Sequence, residues 1–180
     1  MTLIENANFI LAVLTVLSQI FIVLSVVCLI LFRGKYVFIE NFFAKYGLLF
    51  AFITALVSML ASLFYSEIAG YTPCELCWYQ RIVMYPQVLL LAIALYFKDK
   101  KIIKYLIALS IIGAVIALYH HLMQIGAISS LSCSAVGYSI SCVQIFVMRF
   151  GYITLPLMAF TAFLQIIVLM LFSLKKDSNI

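Results

Sequence analysis

Long apolar runs, broken by short polar or basic connections, account for most of the chain. Five runs can be drawn, at about residues 8–32, 47–69, 77–97, 102–122 and 151–174. Each has about 20 residues or more, enough at about 1.5 Å of rise per residue to cross a roughly 30 Å hydrocarbon layer. In a bilayer core only a helix or a closed barrel satisfies its own backbone. Uninterrupted apolar runs, rather than alternation, therefore predict an all-α, polytopic membrane helix bundle. No internal repeat, low-complexity tract or soluble domain interrupts them.

Composition strengthens this reading. Of 180 residues, 67% are apolar and 9% charged, too few polar side chains to cover a soluble globule. The formal charge of +5 does not point to nucleic acid, because the basic residues fall in short clusters between the runs. Arg33, Lys35 and Lys45 follow the first run. Lys98, Lys100, Lys101 and Lys104 follow the third, and Lys175 and Lys176 follow the fifth. Every second connection is basic, so the positive-inside rule predicts an external N-terminus and a cytoplasmic C-terminus. The first run lacks a basic region before it and is longer than a signal-peptide core, so it is expected to remain as a helix.

Four of five cysteines fall on the predicted non-cytoplasmic side, where disulfides persist. Cys74 and Cys77 open the third helix, and Cys133 and Cys142 lie in the loop between the fourth and fifth. Cys28 lies deep in the first helix, where a thiol behaves as a small apolar group. The Cys74-Glu75-Leu76-Cys77 spacing brings two sulfurs together at a helix start, after Pro73. The helix dipole and Arg81, four residues after Cys77, are expected to lower the cysteine pKa. A zinc site is disfavoured by the eight residues between Cys133 and Cys142. Trp78 stands where a c-type haem motif requires histidine. A disulfide between Cys133 and Cys142 would close a short polar loop, and alone it would read as a staple. Two dithiols on one face can instead pass electrons by thiol exchange.

Pro73-Cys74-Glu75-Leu76-Cys77-Trp78-Tyr79-Gln80-Arg81, followed by Met84-Tyr85-Pro86, resembles the signature of the bacterial DsbB/BdbC disulfide-bond formation proteins. The resemblance runs from about residue 45 to 174 and includes the later cysteine pair and Gly151-Tyr152-Ile153-Thr154-Leu155-Pro156. It implies a four-helix DsbB-like core, residues 42–180, and one additional N-terminal transmembrane helix with its basic loop, residues 1–41. It further implies a thiol:quinone oxidoreductase of the bacterial cytoplasmic membrane, using ubiquinone or menaquinone. The partner would be a thioredoxin-like thiol oxidase of the DsbA/BdbD type. By the same resemblance the partner's dithiol attacks the Cys133/Cys142 disulfide at Cys133. Electrons pass to Cys74/Cys77, with Cys74 exchanging with the loop pair and Cys77 facing the quinone. Arg81 and His120 match residues beside the quinone, with His121 as the neighbour that could take the place of His120.

Other readings set the contrast. A small transporter would carry carboxylates or lysines inside its helices, and these runs have none in their interiors. A zinc-binding assembly factor would hold metal on the outer cysteines. The vitamin K epoxide reductase type has the opposite cysteine order. Trp78 and Tyr85 are expected in an interfacial aromatic belt, and Met59, Met84, Met123 and Met158 in packing. Residues 143–150 are expected to lie flat on the outer surface.

Overall fold

The computed structural model describes residues 2–31, 37–128 and 141–177. Helix α1 spans Leu3–Leu31 and α2 spans Val37–Leu63, continued by a π-helical turn at Phe64–Ile68. Helices α3 (Glu75–Phe97), α4 (Ile103–Gln124) and α5 (Leu155–Asp177) follow. Among the described residues, five helices are long and apolar enough to cross a membrane. Each coincides with one of the expected runs, with ends moved by a few residues except at the start of α2, which lies ten residues earlier and takes in Lys45.

Helices α2, α3, α4 and α5 close a four-helix ring in which α5 touches both α4 and α2, and α3 touches the same two from the other side. Helix α1 docks on α5 from outside the ring. The core gathers Leu91 of α3, Leu106 and Ala117 of α4, and Phe163, Ile166 and Met170 of α5. Large side chains such as Leu17, Val23 and Leu24 stay exposed on α1, as a lipid-facing surface requires.

Since lipid is as apolar as leucine, helices in a bilayer associate through close packing and polar contacts rather than through exclusion of water. Both devices are present. A Cβ on Gly113 would collide with the Phe163 ring, and one on Gly47 would lie 2.6 Å from Ser173 Oγ. The α4–α5 and α2–α5 contacts thus depend on the missing side chains. Between α3 and α4, the Ser110 hydroxyl donates to Gln87 Oε1 at 2.8 Å, with both residues fully buried.

The chain also forms structure that apolar runs do not announce. Met148–Arg149 (β1) pairs antiparallel with Ile153–Thr154 (β2). Phe150, Gly151 and Tyr152 intervene, the first two with φ of 51° and 78°, and Tyr152 N–H returns to the Arg149 carbonyl at 3.3 Å. Two successive positive φ values at the centre of a turn are those of type I′. Residues 143–150 therefore do not lie as a flat apolar stretch. Val147 is buried at the hairpin's entrance, and Phe146 stacks on Tyr71 with centroids 4.8 Å apart.

A Gly113→Val substitution should lower stability by about 1–3 kcal/mol through overpacking against Phe163. Thermal unfolding of the detergent-solubilised protein measures this, and an unchanged midpoint would contradict the close approach.

Candidate functional site

The two sulfurs of the CxxC segment meet because the chain turns into α3 between them. Cys74 is the N-cap residue, with extended backbone at φ −78° and ψ 174°. Its carbonyl accepts the first helical bond, from Trp78 N–H at 3.1 Å. Cys77 lies within the first turn, and the two Sγ atoms are 3.1 Å apart. Cys74 is buried at 4% exposure.

One imidazole ties this pair to the following loop. His120, on α4 and 1% exposed, places Nε2 3.1 Å from the Cys142 carbonyl oxygen and 3.7 Å from Cys74 Sγ. A carbonyl only accepts, so Nε2 carries the hydrogen. Nδ1 is then an acceptor, and the Gln80 side-chain amide stands 3.1 Å from it as donor. Gln80, three residues after Cys77 and so on the same helix face, thereby selects the tautomer. Cys142 is itself buried, in one cluster with Cys74 and Met123. Cys133 lies outside the described residues.

The Cys74 thiol is pushed up to about 12. The hydrogen bond to Cys77 is the largest cause, burial adds to it, and the His120 contact works in the opposite direction. The expectation of a lowered cysteine pKa therefore fails at Cys74. As N-cap it precedes the helical turn, and its proton is held against a neighbouring sulfur.

Beside Cys77 opens a cavity of about 340 Å³. Ser62, Tyr65, Gln80, Arg81 and Tyr85 line it together with Cys77. Neither Cys74 nor His120 lines it, so the two cysteines face different surroundings. Arg81 is anchored by Nε donating to Ser62 Oγ at 2.9 Å and Nη2 donating to the Ser62 carbonyl at 3.1 Å. Two of five guanidinium N–H donors are used in this way. Ser62 sits just before the π-helical turn, where Ala69 N–H reaches back five residues to the Phe64 carbonyl at 3.0 Å. Such local widening of a helix is frequent at functional sites.

Several expectations change at this point. Tyr85 lines the cavity and its hydroxyl lies 3.4 Å from Ser62 Oγ, so it is not a belt residue. Met84 and Met123 are buried packing residues as expected, and Met84 and Met158 also line the cavity. Trp78 does lie half exposed at the bundle surface, with the Arg81 guanidinium 5.3 Å from its ring centroid. His121 does not join the sulfurs. Its Nδ1 lies 2.9 Å from Thr154 Oγ1, on β2.

Cys74, Cys77 and His120 bring one potential ligand atom each to within 4.8 Å of one another. A metal would need the lone pair on His120 Nε2, where the Cys142 carbonyl demands a hydrogen. The arrangement suits a sulfur pair with an attendant hydrogen-bond donor better than a closed metal cage.

Comparison with known proteins agrees with this chemistry. The sequence model of the family described as "Disulfide bond formation protein DsbB" matches residues 44–174. The chain belongs to this family. It is 43% identical to disulfide bond formation protein C of Bacillus subtilis over 121 residues, covering 67% of this chain and 86% of the relative. Identity to probable disulfide formation protein C 2 of Bacillus cereus is 37% over 135 residues, 75% of this chain and 96% of the relative. A probable disulfide formation protein of Oceanobacillus iheyensis is 43% identical over 132 residues, 73% and 91% of the two chains. No solved structure matches the chain. Membership of the DsbB family makes this a membrane protein of disulfide bond formation, acting with a thiol–disulfide partner protein.

Replacing Cys77 with alanine removes the largest cause of the raised Cys74 value, so the alkylation midpoint of Cys74 should fall from about 12 while burial keeps it above an ordinary thiol. The pH dependence of iodoacetamide labelling of reduced protein reads this directly. A midpoint that stays where it was would show that the sulfur–sulfur contact is not the cause.

Proposed function

We propose that the chain is a thiol:quinone oxidoreductase that reoxidises a thioredoxin-like thiol oxidase of the DsbA/BdbD type on the outer face of the bacterial cytoplasmic membrane. The observation that carries this reading is the division of labour between adjacent sulfurs. Cys77 opens on a cavity, whereas Cys74 does not line it and is buried beside Cys142 and His120, in a cluster on whose edge Cys77 also packs. A disulfide between them would have one sulfur accessible to a bound acceptor and the other to the loop pair. The basic connections at Arg33–Lys45, Lys98–Lys104 and Lys175–Lys176 support an external cysteine end.

The exchange steps balance as follows. A partner thiolate attacks the Cys133/Cys142 disulfide at Cys133, releasing Cys142, and the partner's second thiol then displaces Cys133 to leave with its own disulfide. The Cys142 thiolate attacks Cys74 and frees Cys77. Attack of Cys133 on Cys142 restores the loop disulfide and releases Cys74. His120 Nε2–H, 3.7 Å from Cys74 Sγ, favours the thiolate as that sulfur leaves. Two electrons and two protons now reside on Cys74 and Cys77. They leave as the Cys74–Cys77 disulfide re-forms.

The cavity suits ubiquinone or menaquinone as the final acceptor. Its volume of about 340 Å³ lies in the range of small-molecule sites. Tyr85 offers a flat ring, and Arg81 keeps N–H donors beyond those given to Ser62. A quinone bound there supplies a two-electron, two-proton sink. The fixed Arg81 charge stabilises anionic oxygen and the Cys77 thiolate alike. The net reaction is partner dithiol plus quinone to partner disulfide plus quinol.

Anaerobic quinone reduction by purified protein, given a reduced thioredoxin-like oxidase, tests the whole scheme. Alanine at any one of Cys74, Cys77, Cys133 or Cys142 should abolish turnover, and Cys28→Ala should leave it intact. Full activity in Cys77→Ala would sink the mechanism. Arg81→Ala should raise the quinone KM by about tenfold or more, as expected for loss of a charged hydrogen bond of about 1.5–3 kcal/mol. Equal quinone kinetics in variant and parent would remove Arg81 from the site.

A further inference from the structure

The helix that precedes the family match forms part of the cavity. Leu11, Leu14, Thr15 and Ser18 of α1 all line it. Their spacing of i, i+3, i+4 and i+7 is a single helical face. The family match begins at residue 44, so this wall is built from sequence that the family model does not include.

Polar bonds hold α1 in register on either side of that face. The Tyr65 hydroxyl donates to Asn8 Oδ1 at 2.8 Å in a buried contact. Eleven positions further along the same helix, Gln19 accepts from the Tyr152 hydroxyl at 3.0 Å, and its amide lies 3.4 Å from Thr161 Oγ1. Asn8, Ala12 and Thr15 are buried while Leu17, Val23 and Leu24 are exposed, so the polar side faces the bundle and the apolar side faces lipid. A helix that served only as an anchor would have no need of this arrangement. Polar side chains within a span are costly unless paired, and here each bond is made to α5, to the turn after α2 or to the segment leading into α5.

Apart from the Ser18 hydroxyl, what α1 presents to the cavity is shape. The Thr15 hydroxyl donates to the Leu11 carbonyl at 2.8 Å, so its hydrogen is used within its own helix. Leu11 and Leu14 share the lining with Ile53 and Val57 of α2 and Met158 of α5. The donors Gln80 and Arg81 come from α3. The cavity therefore combines the donors Gln80 and Arg81, on the same helix as Cys77, with apolar side chains from three helices, which matches an acceptor with an oxygenated ring and a hydrocarbon tail.

We infer that α1 is a specificity wall of the acceptor site, contacting the hydrocarbon substituent of a prenylated quinone through Leu11, Leu14 and Thr15. The inference rests on the proposed quinone reaction and adds a role for residues 8–19 in it.

The test compares Leu14→Trp, which adds bulk to the wall, with Val23→Trp, which is exposed and lies on the opposite side of the same helix from Leu14. Quinone reduction by full-length protein is followed with a decyl-tailed ubiquinone and with tailless menadione, using a reduced thioredoxin-like oxidase as donor. Single-turnover oxidation of that donor, without quinone, reports fold and thiol exchange. Leu14→Trp should raise KM for the decyl quinone by about tenfold, a shift within the range by which apolar pockets discriminate. Its KM for menadione should stay within about twofold of the parent, with the single turnover unchanged, and Val23→Trp should match the parent throughout. Parent-like KM for both quinones in Leu14→Trp overturns the role of α1 and leaves the quinone reaction standing. An equal rise for both overturns the assignment to the tail. A parent protein that reduces neither quinone overturns the reaction and the inference together.

Discussion

Around the His120 imidazole three separate stretches of chain are brought into one hydrogen-bonded unit. Its Nδ1 is met by Gln80 of α3, and its Nε2 serves the Cys142 carbonyl and stands next to Cys74. Each is a contact between groups remote in sequence, made where water is scarce and an unpaired polar atom is costly. Because the Cys142 carbonyl can only accept, the ring has one admissible neutral tautomer, and the donor side of the imidazole faces sulfur. The relation between the CxxC pair and the loop follows from that choice.

Two asymmetries build on this unit. Cys74 and Cys77 are three residues apart, yet one is a buried N-cap whose thiol holds its proton and the other opens on a cavity. The difference comes from helix geometry: an N-cap side chain precedes the helical turn, while the third helical residue projects from it. Across the cavity, Arg81 is held by a serine and a backbone carbonyl rather than by a carboxylate. Among the described residues its charge has no carboxylate partner.

The scaffold supplies the rigidity. Gly113 lets α4 lie against Phe163, Gly47 lets α2 lie against α5, and the buried Gln87–Ser110 pair ties α3 to α4. With those contacts made, the starts of α3 and α5 and the ends of α2 and α4 converge at one end of the bundle. Helix α1 then covers a side of the cavity that the four-helix ring by itself leaves to lipid.

The five helices were legible in the sequence because a bilayer asks for one thing, about 20 consecutive apolar residues, and the chain supplies that pattern without ambiguity. The family was legible because CxxC, the following Arg81 and the later cysteine pair form a local motif. The hairpin at Met148–Thr154 was not, since two-residue strands carry no periodicity and the turn places a positive φ on Phe150, which sequence alone does not favour. Nor was the partition of the site. Tyr85 reads from the sequence as a belt residue, and nothing local marks Gln80 or Ser62. Their roles depend on contacts 19 to 40 residues apart in the chain. Hydropathy determines which segments cross the membrane. Which faces meet, and hence which sulfur sees the cavity and which sees the loop, is decided only when the helices pack, because close approach and directional hydrogen bonds depend on rotation about each helix axis, a quantity that apolar content does not encode.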